Sequence, residues 1–173
     1  VFSSLALQWC DPDAVFRECR RVLRPGGLLL FTTFGPDTLK ELRAAWRAVD
    51  DDPHVHAFID MHDLGDALVR ARFADPVMDV EPLTLTYADV PGVLRDLKAI
   101  GAHNAASARN AALTGKARFA RFVRAYEVFR SVEGRIPASY ETVYGHAWAP
   151  ATSDEVHGAS GEGWMPVSIM RRP

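Results

Sequence analysis

The sequence predicts an α/β fold with parallel strands, and three observations lead to it. The apolar opening VFSSLAL is followed, after Asp11-Pro12, by a helical pattern and then by the unbroken run Leu28-Leu29-Leu30-Phe31-Thr32-Thr33-Phe34. A run without polar alternation is how a strand covered on both faces reads. Strand, helix and buried strand in that order make a right-handed crossover between parallel neighbours. Later in the chain the apolar period changes to two, which adds antiparallel edge strands after the parallel ones, with helices on both faces of the sheet.

Each element follows from local chemistry. Asp11 suits an N-cap, Pro12 the first helical position, and Arg24-Pro25-Gly26-Gly27 a stop. Within that helix Val15, Cys19, Val22 and Leu23 recur on one face, and Arg17, Arg20, Arg21 and Arg24 on another. Gly35-Pro36-Asp37 ends the second strand and opens a helix carrying Leu39, Leu42, Trp46 and Val49 on one side. A polar loop from Asp50 to His56 leads to a helix capped by Asp60 and running to about Arg72, with Met61, Leu64, Leu68 and Ala71 inward. From Val77 the pattern alternates, most clearly at Leu83, Leu85 and Tyr87, as in a strand near the sheet edge where Pro82 is tolerated.

Asp89 caps the next helix, which runs through Val93, Leu94, Leu97 and Ile100 and closes at Gly101. A polar, alanine-rich connection precedes a helix from about Lys116 to Ser131, with Phe119, Phe122, Val123, Tyr126 and Phe129 as its apolar side. Ser139 to Ala149 alternates once more and places Tyr140, Thr142, Tyr144, His146 and Trp148 on one face of a final strand. The division expected is a folded part over residues 1–149 and a loose, glycine-bearing polar tail over 150–173.

Composition narrows the function classes. With 173 residues, 48% hydrophobic and 24% charged, the chain has the makings of one domain with a core. A net charge of -2 argues against a nucleic-acid binder, whose phosphate contacts demand a basic balance. No apolar run approaches bilayer length and no basic, apolar leader precedes a cleavage site, so no membrane partner and a cytoplasmic setting are expected. Cys10 and Cys19 show no C-x-x-C spacing and read as reduced thiols.

Ligands in open α/β sheets sit beyond the carboxyl ends of the strands, here Ser3 to Trp9 and Phe34 to Thr38. Ser3 and Ser4 suit a plain strand end slightly better, and Trp9 could equally be a core anchor. His54, His56, Asp60, His62 and Asp63 have the residue types of a metal site but not the spacing; loop histidines in solvent and a helix cap are the favoured account, and no metal is expected. The basic face of the first helix and the cluster Lys116, Arg118, Arg121 and Arg124 are either solvated or docking patches for an acidic partner. Gly158, Gly161 and Gly163 neither follow a strand nor open a helix, so they are not read as a nucleotide loop.

The order VFSSLALQW, a capped helix ending LRPGG, then LLLFTTFGPDTLKELRAAWRAVD resembles the second half of a class I methyltransferase of Rossmann-like fold dependent on S-adenosylmethionine. Within that superfamily LALQWC, FTTFGPDTLKEL, LRDLKAIGAHN and GRIPASYETVYGHAW resemble the malonyl-[acyl-carrier protein] methyltransferases of biotin synthesis, from Val1 to about Trp148. The resemblance implies that the opening is the fourth strand of a seven-stranded sheet. It also implies that the first strands, their glycine-rich turn and the acidic ribose partner are absent from this chain, so that the chain is a truncated and by itself inactive form.

Ser3, Ser4, Leu5, Ala6 and Trp9 would then remain from the S-adenosylmethionine site. Phe34 and Trp46 are candidate pocket walls, and Lys98, His56 and Tyr144 candidate holders of the malonyl carboxylate, with Lys98 equally readable as a solvated helix residue. Acyl carrier protein, being acidic, would meet the face of Arg17, Arg20, Arg21 and Arg24. FGPDTLKELR, DMHDLGDALVRARF and GRIPASYETVYGHAW also resemble a methyltransferase-fold arginine hydroxylase that assists respiratory complex I assembly. A non-catalytic fragment or binding module is the third reading.

Overall fold

The computed structural model describes residues 1–101 and 115–151. The expectations placed on the alanine-rich connection and on the tail beyond Ala151 lie outside the described residues.

Strand β1 (Phe2–Ser4) passes through a 3-10 turn (Leu7–Trp9) into helix α1 (Pro12–Val22) and strand β2 (Leu28–Phe34). The Asp11 carboxylate accepts the Asp13 N–H at the start of α1. After α1 the chain reverses at Gly26, whose φ of +72° belongs to the left-handed region that glycine adopts without strain. β1 and β2 run parallel, Ser3 opposite Phe31, as the strand–helix–strand order predicts.

Helices α2 (Lys40–Arg47) and α3 (Met61–Arg70) follow, then β3 (Ala74–Tyr87), α4 (Val90–Ala99), α5 (Lys116–Glu127) and β4 (Ile136–Trp148). Asp60 and Asp89 cap α3 and α4 by accepting the N–H groups of His62 and Gly92. The sheet order is β1-β2-β4-β3, so β4 inserts antiparallel between β2 and β3. β3 lies at the edge, where the missing N–H of Pro82 costs least. The last strand begins three residues before the expected Ser139, and α5 ends at Glu127 instead of Ser131.

One sheet face is closed by α1 and α3. Phe16, Leu64, Ala67 and Leu68 pack there on Leu29, Phe31, Val143 and Ala147. The other face is closed only at one end, where α2, α4 and α5 bring Leu42, Val93, Leu97, Phe122 and Tyr126 onto Ile136 and Ala138. Over the rest of that face no described helix lies, and Phe2, Leu30, Val77, Tyr144 and Trp148 are exposed.

β2 is therefore covered on one face where its continuous apolar run predicted two. Its odd positions Leu29 and Phe31 are buried, whereas Leu30 is exposed. Val22 and Ile100 are also exposed rather than inward, and Phe16 is the residue that anchors α1. No helix among the described residues is long and apolar enough to cross a membrane. Cys10 and Cys19 are free thiols.

Candidate functional site

The carboxyl ends of β1 and β2 are held together by short-range hydrogen bonds. Leu5 leaves β1 in the left-handed region, with φ +47°, and its N–H donates to the Thr32 carbonyl at 3.0 Å and to Thr32 Oγ1 at 3.2 Å. Thr32 Oγ1 in turn donates to Ser4 Oγ at 3.4 Å. Gln8 Nε2 donates to the Leu5 carbonyl at 2.6 Å, and Gln8 Oε1 accepts from Thr33 Oγ1 at 3.3 Å. Gln8 thus clamps the two strand ends, a role hidden in the sequence because its partners lie across the sheet. Ser4, Leu5 and Ala6 are exposed, Ser3 is half-buried, and Trp9 keeps 51% of its surface open.

The turn after β2 is pinned to β4. Glu141 accepts the Asp37 N–H at 2.7 Å, and Thr38 Oγ1 accepts the Glu141 N–H at 3.0 Å while donating to its carbonyl at 3.2 Å. Leu39 enters α2 with φ +56°, its N–H on the Ser139 carbonyl at 2.6 Å. The buried Glu41 carboxylate accepts both the Ser139 N–H, at 3.0 Å, and the Ser139 hydroxyl. The left-handed residue, which costs a leucine conformational energy, is held by these bonds on either side.

An aromatic row joins the two strand ends to the loop before α3. Trp9 and His56 lie 6.1 Å apart between ring centroids, His56 and Phe58 5.9 Å, Phe58 and Phe34 5.8 Å, and Phe34 and Tyr140 5.8 Å. Three of the candidates, Trp9, His56 and Phe34, are thereby brought into one wall. Phe58 and Tyr140 belong to it as well, although the sequence offered them only as loop and strand residues.

Trp46 lies in a neighbouring cluster. Its ring stacks on His54 at 3.8 Å and on Phe122 at 4.2 Å, and His54 Nε2 is 2.7 Å from Asp50 Oδ1. Arg118 bridges Asp50 at 2.7 Å and Asp52 at 2.5 Å. Asp50, Asp52 and His54 face one another closely enough to share a cation, but the Arg118 guanidinium already supplies the positive charge between the two carboxylates. Two readings are corrected here: His54 is a stacked, hydrogen-bonded residue with 17% of its side chain exposed, and Arg118 faces inward, away from any docking patch. Asp60 forms the expected cap by accepting the His62 N–H at 2.8 Å, and the His62 ring Nδ1 lies 2.7 Å from the same carboxylate oxygen.

Two further candidates stand elsewhere. Lys98 is exposed in the last turn of α4, a helix that packs on α5 and β3. Tyr144 lies on the uncovered sheet face, in register with Thr32 and hence in the row of Ser4, and its hydroxyl donates to Glu81 at 2.8 Å. The aromatic wall includes neither. A cleft of about 270 Å³ opens between α2 and the 51–57 segment, with Arg43, Trp46, Arg47 and His54 among its lining residues.

Residues 1–31 match the family described as "Methyltransferase domain". Among curated relatives the chain is 58% identical over 161 residues to the malonyl-[acyl-carrier protein] O-methyltransferase of Gallionella capsiferriformans, a match covering 92% of this chain and 55% of the relative. It is 61% identical over 152 residues to that of Laribacter hongkongensis, covering 87% and 51%, and 54% identical over 173 residues to that of a Methylovorus species, covering 99% and 57%. The chain spans about half the length of the curated relatives it matches. A candidate methyltransferase structure from Bacillus halodurans shares the fold, with a TM-score of 0.50 at 15% identity over 87% of this chain and 68% of that one.

Proposed function

We propose, from the premise that the chain belongs along the length it spans to the malonyl-[acyl-carrier protein] O-methyltransferases, that the protein methylates the free carboxylate of a malonyl group carried by acyl carrier protein. The observation that carries this reading is identity of 54–61% over 152 to 173 aligned residues. Formation of the ester masks a charge, which suits the chain for elongation toward the pimeloyl part of biotin. A cytoplasmic setting is part of the same reading.

S-adenosylmethionine, when bound, supplies an electrophilic methyl group. The residues at the end of β1 are chemically suited to one side of a flat, polar ligand: an exposed Ser4 hydroxyl, two small-to-medium apolar residues and a half-open indole. Ser3, Ser4, Leu5, Ala6 and Trp9 would hold that side. The chain's own residues have no proton to move, because a malonyl carboxyl is already ionised at neutral pH. They have to orient the carboxylate and exclude water, where positioning supplies much of the acceleration.

Phe34, His56 and Phe58 serve as the water-excluding wall in this reading, and Trp46 acts through His54, which it holds in place. His56 is the polar member of that wall and the one placed to hydrogen-bond an acceptor. Lys98 and Tyr144 are left out of the acceptor pocket, the first because its helix faces another part of the molecule, the second because its hydroxyl is taken by Glu81. The exposed arginines of α1 supply the surface for an acidic carrier.

The deciding experiment supplies full-length protein with S-adenosylmethionine labelled in its methyl group and with malonyl-acyl carrier protein. A base-labile methyl ester on the carrier is expected, with acetyl-carrier protein as the unreactive control because it lacks the free carboxylate. Label in neither, together with oxygen added to an arginine of a co-incubated protein, would replace this reading with the hydroxylase one.

A further inference from the structure

Two cations in the cleft beside the aromatic wall have no part in the reading above. Arg43 and Arg47 stand one turn apart on α2, the helix that begins directly after the carboxyl end of β2, and both line the cleft of about 270 Å³. Arg43 donates from Nη2 to the Pro36 carbonyl at 2.7 Å and to the Thr38 carbonyl at 2.6 Å. A guanidinium carries five N–H donors, and among the described residues Nε and Nη1 keep theirs for a ligand that approaches through the cleft. Arg47 is exposed and makes no ion pair among the described residues.

Two carboxylates also line the cleft. Asp52 is held by Arg118, and Asp51 is exposed. Burial, and next the charge of Arg47, draw the Arg43 pKa down, and the charge of Asp37 offsets them only in part. An anion between the two arginines relieves both effects. At this volume the cleft is below the size of a site for a whole drug-sized ligand, so it fits a single charged group better than an acyl chain.

We propose that the cleft is an anion subsite in which Arg43 and Arg47 together bind a carboxylate or phosphate group of the acyl substrate. Val55 and Ala57 line the cleft, while His56 and Phe58, alternating with them, belong to the aromatic wall. The cleft and the aromatic wall thus share the 55–58 segment. The naming of the source rests on the methyl-transfer reading: the anion is either the malonyl carboxylate or the phosphodiester of the carrier's prosthetic arm. Anion binding itself does not depend on that reading.

Titration of the full-length protein with malonate and with inorganic phosphate, followed through the arginine Nε–H resonances, tests the site directly. At least one anion should shift Arg43 and Arg47, with affinity about tenfold weaker in Arg47→Gln and largely kept in Arg47→Lys, as expected for loss of one charge-assisted contact. Binding of neither anion, or unchanged affinity in Arg47→Gln, overturns the proposal. The source is read from KM. A rise in Arg47→Gln for malonyl-acyl carrier protein alone assigns the phosphodiester, and a rise also for malonyl-N-acetylcysteamine, which has no phosphate, assigns the carboxylate. Intact anion binding in a protein that transfers no methyl group would sink the methyl-transfer reading and leave the subsite standing.

Discussion

At Asp50 two opposing effects meet on one carboxylate. Burial by itself would raise its pKa, but hydrogen bonds from His54, Arg118 and the Asp52 N–H outweigh it and hold the carboxyl below its ordinary value. A group whose folded-state pKa is depressed stabilises the fold fully above its unfolded value, here near 3.8, and loses that contribution as pH falls through the folded value. The urea midpoint should therefore drop below about pH 4, and Asp50→Asn should flatten that part of the profile; an equally steep profile in the variant would show that Asp50 does not contribute. The residue types in the loop were legible in the sequence, where three aspartates and two histidines stood out. Their pairing was not, because Arg118 arrives from α5, more than sixty residues away. Likewise the sequence marked His54 and Trp46 separately, and only packing stacks one ring on the other.

At the scale of elements, β4 is where close approach decides the sequence. Gly145 lies opposite Phe31 in the β2–β4 register, and a Cβ at that position would collide with the Phe31 ring, which is fully buried. Gly145→Ala should cost about 1–3 kcal/mol, the usual penalty for overpacking a filled core, measured by urea unfolding. Phe31→Leu in the same molecule should recover part of that loss, and purely additive effects would locate the strain elsewhere. The caps at Asp11, Asp60 and Asp89 were readable because a cap is a local bond within one turn, and the structure contains all three. The coverage of β2 was not readable. A continuous apolar run reports burial without saying which neighbour supplies it, and here the even positions face a part of the sheet over which no described helix lies.

For the whole molecule, the net charge of -2 conceals a local asymmetry that matters for association. Arg17, Arg21 and Arg24 are exposed on or just beyond α1, Arg20 is half-buried, and Arg21 is paired with Glu18 at 2.8 Å. Exposed ion pairs of this kind contribute little to stability, so the face remains available for a long-range effect on an acidic partner. Replacing Arg17 and Arg21 by Glu should weaken carrier binding about tenfold or more at low salt and progressively less as salt rises, measured by calorimetry across an ionic-strength series. Unchanged affinity at low salt would rule out this face. The sequence by itself determined the α/β class, the parallel β1–β2 pair, the helix caps and the kinship with a methyltransferase family, since each depends on short-range pattern or on the order of motifs. Only the tertiary structure decided that β4 inserts between β2 and β3, and that Trp9, His56 and Phe34 share one wall while Lys98 and Tyr144 do not. It also turned Arg43 and Arg47 toward a cleft. The physical reason is the same throughout: strand order and side-chain convergence are set by contacts between residues far apart in the chain, and local propensity carries no record of them.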